Sequence, residues 1–149
     1  MKRFVAGVTL LELMVVVAIV AILAAIAIPN YRSYVLRTNR VDATAALLRL
    51  ASAQEKFYLQ TNTYAAEAQR VANPPNGLGI AATEHGWYTL SIEAPAVGDY
   101  TTGYVARATV VGGSVQDADA ACRSFTIAEN GARDAFDSAN ASNRVTCWR

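Results

Sequence analysis

Gly7-Val8-Thr9-Leu10-Leu11-Glu12 leads directly into Leu13 to Ile28, a run drawn only from Leu, Met, Val, Ala and Ile. Such a run predicts a membrane-spanning helix. From Val8 to Ile28 it extends about 30 Å at 1.5 Å per residue, the thickness of a bilayer core. Glu12 is the misplaced residue. A charge in hydrocarbon costs roughly 2.5 to 3.5 kcal/mol on insertion scales, and intramembrane ionisable side chains usually have a partner and a task.

No partner lies within the run. Lys2 and Arg3 lie upstream, and a cut after Gly7 would remove both while leaving a new amine on Val8. That amine on one subunit, set against Glu12 of a neighbour, turns an expensive buried charge into a requirement for assembly. Before assembly Glu12 sits about a turn from the helix end, within reach of the interface by snorkelling.

The arrangement resembles the class III signal of type IV prepilins. It has a short basic leader, Gly7 before the scissile bond, Thr9 and Leu10 after it, then Glu12 and a long apolar helix interrupted by Pro29. Ala43 to Tyr64 and the terminal Cys147-Trp148-Arg149 are similar to the minor pilin PilE group. The resemblance is detailed from Met1 to about Tyr64 and holds in outline beyond. Val8 stands where the family usually has Phe, and Phe4-Val5-Ala6 makes the leader less polar than most.

The resemblance implies cleavage between Gly7 and Val8 by a prepilin peptidase, N-methylation of Val8, and subunit assembly through Glu12 and Thr9. It further implies a pilus subunit without catalytic activity that supports pilus biogenesis, adhesion and twitching motility. Its partners would be other pilin subunits, the peptidase and an inner-membrane assembly platform. The precursor would cross the bacterial inner membrane once, N-terminus cytoplasmic and head periplasmic, and reach the cell surface in the pilus. A type II secretion pseudopilin shares the same leader, and a DNA-uptake receptor pilin is a further alternative.

Four segments are expected: a cleaved leader (1–7), a membrane and filament-core helix (8–28), an amphipathic helical half (29–60) and a globular head (61–149). Pro29 lacks an N–H and crowds the carbonyl of Ala25, so a kink is expected there rather than a stop. Beyond it Asp42, Arg49 and Lys56 recur at intervals of seven. Ala43, Leu47, Leu50, Ala51 and Tyr58 form the opposite, apolar face.

The stretch from Thr61 to Gly86 reads as a connecting loop with a short helical turn between Ala65 and Val71. Tyr88, Leu90 and Ile92 alternate with polar residues, as do Tyr104, Ala106, Ala108 and Val110, predicting two antiparallel strands joined by a turn at Pro95 to Asp99. Ser124 to Ala128, followed by the Glu129-Asn130-Gly131 turn, predicts a third. The fold class is α+β, the pilin fold: a long kinked helix packed on a three- or four-stranded antiparallel sheet. Cys122 and Cys147 are the only cysteines. In an exported domain they are expected to pair and close a C-terminal loop, which favours the pilus over the secretion reading.

The remaining residues suggest no chemistry. The single His85 has no nucleophile or paired carboxylate at a motif spacing. Asp117, Asp119, Asp134 and Asp137 do not match a calcium loop and read as solvated carboxylates, so neither metal nor cofactor is expected. Arg123, Arg133, Arg144 and Arg149 are interspersed with Glu129, Asp134 and Asp137, a weak basic patch. Without Lys2 and Arg3 the thirteen Lys and Arg become eleven against twelve Asp and Glu. A nearly neutral subunit packs beside its copies without strong repulsion and offers no global field for nucleic acid, which is not expected as a partner. Asn140-Ala141-Ser142 fits a glycosylation sequon. Trp148 reads as an aromatic plug beside the disulfide.

Overall fold

A computed structural model describes residues 8–148. Met1 to Gly7 and Arg149 lie outside the described residues, and with them the leader, the Gly7 cleavage point and one terminal arginine. The elements follow as α1 (Leu10–Thr61), α2 (Glu67–Arg70), β1 (Tyr88–Glu93), β2 (Val105–Val110), a 3₁₀ turn (Val115–Ala118), β3 (Ser124–Ala128), β4 (Arg133–Phe136) and α3 (Arg144–Cys147). Two compact units divide the chain within α1, one ending at Val35 and the other starting at Leu36.

In the first unit every large apolar side chain from Leu10 to Ile28 is exposed, from 50% at Val15 to 76% at Leu10. Among the described residues, α1 is the one helix long and apolar enough to cross a membrane. Pro29 lies inside it, and helical structure continues past it. Four residues on, the Ser33 hydroxyl donates to the Pro29 carbonyl at 3.0 Å.

In the second unit α1 turns Asn39, Ala43, Ala46, Leu50, Gln54 and Phe57 inward, with Asp42 and Leu47 flanking them. The spacing of three and four residues makes one helical stripe. The expected inner face is thus corrected at two places. Phe57 is the buried aromatic, whereas Tyr58 is half-buried and stacks on Tyr64 with ring centroids 4.6 Å apart. Asp42, placed on the outer face by the interval of seven, is buried.

The sheet is antiparallel throughout, in the order β1-β2-β3-β4. Register sets Leu90 beside Ala108, Ala108 beside Phe125 and Phe125 beside Ala135. One row across the inner face therefore alternates bulky and small side chains, and Leu47, Leu50 and Phe57 of α1 join the same core. Leu47 and Leu50 are fully buried, each contributing about 1.5 to 3 kcal/mol. The fourth strand, not located in the sequence, is Arg133–Phe136. The β1–β2 connection turns at Asp99 to Gly103 rather than at Pro95 to Asp99, with the Gly103 N–H donating to the Asp99 carbonyl at 3.1 Å. Between β3 and β4, Gly131 takes φ +76, which favours glycine at the tip of so short a hairpin.

Both outer strands meet neighbouring segments. The Ile92 N–H of β1 donates to Glu67 Oε2 at 2.7 Å, and the Tyr88 carbonyl accepts from Thr83 Oγ1 at 3.2 Å. On β4, the Ala135 carbonyl accepts from the Asn143 N–H at 2.7 Å. The Asp134 carbonyl accepts from Trp148 Nε1, also at 2.7 Å.

Candidate functional site

The N-terminus of α1 is built from Thr9 and Glu12. The Leu13 N–H donates to the Thr9 carbonyl at 3.1 Å, the first helical bond. The Glu12 N–H donates to Thr9 Oγ1 at 3.2 Å, so the Thr9 hydroxyl satisfies one of the helix's orphan donors. The T-x-x-E spacing is the sequence signature of a capping box and was the available signal for this role. Glu12 lies in the first turn, where the helix dipole favours a negative charge. Its side chain is exposed and makes no ion pair among the described residues. The arrangement is a single carboxylate at the head of an uncovered apolar helix, suited to a cation supplied from outside the chain. Val8, its expected partner on a neighbouring subunit, is 73% exposed.

In the head, Cys122 and Cys147 form a disulfide with Cα atoms 5.8 Å apart. It joins the residues before β3 to the end of α3. Trp148 packs edge-on against Phe125 with centroids 5.9 Å apart, and the Arg133 guanidinium lies 5.2 Å from its ring centroid. Trp148 thus plugs the core beside the disulfide, as expected.

Of the four carboxylates expected to be solvated, Asp119 is the one that is buried, while Asp117 is exposed and Asp134 and Asp137 are half-buried. Asp119 is buried and takes a two-point contact from Arg40, at 2.8 Å from Nε and 3.0 Å from a terminal nitrogen, with Gln116 donating at 2.9 Å. Asp117 accepts from the Gly113 N–H and from Arg123, contacts that hold its carboxyl below the ordinary range. Asp134 and Asp137 accept from nearby backbone N–H groups, and Asp134 also from the Ser142 hydroxyl. Among the described residues no group of three His, Cys, Asp or Glu is placed to hold a metal.

The arginines lie in pairs, Arg107 with Arg123 on one surface cleft and Arg133 with Arg144 on another. Arg123 is paired with Asp117, Arg133 stacks on Trp148, and Arg107 is paired with Glu93 at 3.2 Å. His85 meets Asp42 at 3.3 Å and stacks on Trp87 with centroids 4.5 Å apart. The contact with Asp42 joins residues 43 positions apart, and no local signal marks it.

Comparison with known proteins gives two family matches. Residues 2–28 match the prokaryotic N-terminal methylation motif, and residues 29–126 match the type IV minor pilin ComP family, described as a DNA uptake sequence receptor. Fimbrial protein EcpC of Eikenella corrodens is 36% identical over 98 residues, covering 66% of this chain and 60% of that protein. The type IV major pilin protein PilA of Myxococcus xanthus is 42% identical over 69 residues, 46% of this chain and 31% of that one. The chain thus spans less than two thirds of these two relatives. The type IV wide pilus major component PilA4 of Thermus thermophilus is 34% identical over 94 residues, 63% of this chain and 68% of that one. A solved type IV pilin from Shewanella oneidensis aligns with a TM-score of 0.46 at 24% identity, over 66% of this chain and 89% of that one.

Proposed function

The chain belongs to the type IV pilin family, and from that premise we propose that it is a minor structural subunit of a type IV pilus, matured by cleavage between Gly7 and Val8. The prepilin peptidase cuts after Gly7, Val8 is N-methylated, and the subunit leaves the inner membrane for the filament through α1. Glu12 accepts the Val8 amine of a neighbour, with Thr9 fixing the first turn. An assembly platform and other pilins are its partners, and pilus biogenesis, adhesion and twitching motility are what it serves. The observation that carries this reading is the uncovered apolar stretch Leu10 to Ile28 of α1, headed by a carboxylate with no ion pair among the described residues. The test is the mass of the mature N-terminus in sheared filaments and in membranes. A methylated Val8 in filaments is expected; an intact Met1 overturns the cleavage, and a processed chain confined to membranes favours a secretion pseudopilin.

A second reading, a DNA-uptake receptor, is favoured by the match of residues 29–126 to a family described in those terms. It runs against the near-neutral charge and the ion pairs of Arg107 and Arg123. A receptor requires retention of duplex DNA that falls steeply with salt; equal, negligible retention at low and high salt removes this reading.

A further inference from the structure

We infer that the cleft between α1 and the Glu84–Trp87 turn is a seat for a guanidinium or ammonium side chain presented by a neighbouring pilus subunit, an inference that rests on the pilin reading above. The cleft encloses about 380 Å³, and its walls include Asp42, Ala45, Arg49, Glu84, His85 and Trp87.

Its informative group is Asp42, whose side chain is 2% exposed. One carboxylate oxygen, Oδ1, accepts from both the His85 backbone N–H at 3.2 Å and His85 Nδ1 at 3.3 Å. The other, Oδ2, is buried with no hydrogen-bond partner. A buried acceptor left without a donor is destabilising, more so when charged. The cation already in the cleft does not supply that donor: Arg49 reaches the Ala82 carbonyl at 3.5 Å instead.

The surroundings define what the missing donor is. Two carboxylates, Asp42 and Glu84, and one guanidinium, Arg49, line the cleft, so the site favours a further positive charge. The His85–Trp87 stack adds an aromatic wall of the kind that attracts cations, and Ala45 leaves room for an aliphatic stem. A Lys or Arg side chain satisfies all three features, whereas a bare metal ion lacks the cluster of oxygen ligands it requires. The cleft opens on α1, the element through which assembly is proposed, so the donor is assigned to an adjoining subunit.

The test uses the full chain in detergent micelles and N-acetyl-arginine methylamide as the probe, with its neutral citrulline counterpart as control. The ring resonances of His85 and Trp87 are expected to shift with the arginine probe and not with citrulline. Asp42→Asn is expected to weaken binding about tenfold or more, the size of a lost charge-assisted bond. Ala45→Leu fills the cleft while leaving Asp42 and its His85 contacts in place, and is expected to abolish the shifts. Both variants are expected to enter filaments less than the parent, with processing at Val8 and the disulfide intact by mass. Equal response to citrulline, no response to arginine, or parental incorporation of Ala45→Leu overturns the proposal. If the parent never enters filaments although the probe binds, the pilin reading has failed and the assigned occupant with it, while the cation site itself stands.

Discussion

Gln54 is the most exacting test of how the head is held together. It is fully buried on α1. Its side chain makes a two-point contact with the Ala65 backbone, Nε2 donating to the carbonyl and Oε1 accepting from the N–H, both at 2.8 Å. Ala65 is itself fully buried, so no water replaces either bond. Gln54→Met keeps length, volume and helix propensity while removing both. Each orphaned buried group costs about 1 to 3 kcal/mol, and the pair about 4 kcal/mol at mid-range. For a unit of this size that lowers the unfolding midpoint by about 15 °C. Gln54→Glu keeps the acceptor for the Ala65 N–H but sets a carboxylate against the Ala65 carbonyl, and is expected to be no better. The assay is thermal unfolding of the full chain in micelles, followed by near-ultraviolet circular dichroism so that the head's tyrosines report. A Gln54→Met midpoint within a degree or two of the parent refutes the account.

Arg40→Met leaves the buried Asp119 carboxylate with Gln116 alone and is expected to destabilise the head by about 3 to 5 kcal/mol; the double change Arg40→Met with Asp119→Leu should recover most of it in the same melt. Thr9→Ala removes the cap of α1 and is expected to cost about 1 kcal/mol, confined to the first turn; faster amide exchange at Glu12, reversed by Thr9→Ser, checks it. Burial pushes the phenols of Tyr88 and Tyr104 well above their ordinary value. The unfolded chain therefore loses those protons first, and stability, level below the ordinary phenol value, falls as pH rises through it. Ultraviolet titration should show these two tyrosines ionising last, and ionisation together with the rest opposes the assignment.

Much of this architecture was legible in the sequence because it is written in periodicities. Period two marks Tyr88, Leu90 and Ile92, and the apolar run marks the first half of α1. What escaped is held by contacts between distant residues. Asp42 carries an outer-face residue type yet is buried, because His85 meets it 43 positions later. Asp119 reads as a loop carboxylate until Arg40, 79 residues earlier, is placed beside it. β4, Arg-Asp-Ala-Phe, is too short and too mixed to show a period, and its pairing with β3 defines it. At the candidate assembly site, Glu12 was conspicuous because it violates its surroundings. Thr9 was singled out beside it by resemblance, whereas its role as the cap of α1 obeys a rule and drew no notice.

The hydrogen bonds along the outer strands bear on how a subunit of the proposed kind avoids aggregating. A sheet with bare edges in a crowded membrane recruits other sheets by strand addition, a growth mode with no defined length, register or end. Here α2 and Thr83 engage β1, and the returning C-terminal segment with Trp148 engages β4. With its strands occupied, the head is a poor template for sheet-to-sheet growth. In the filament proposed above, order is then left to helix packing and side-chain complementarity, contacts with a fixed geometry that strand addition lacks.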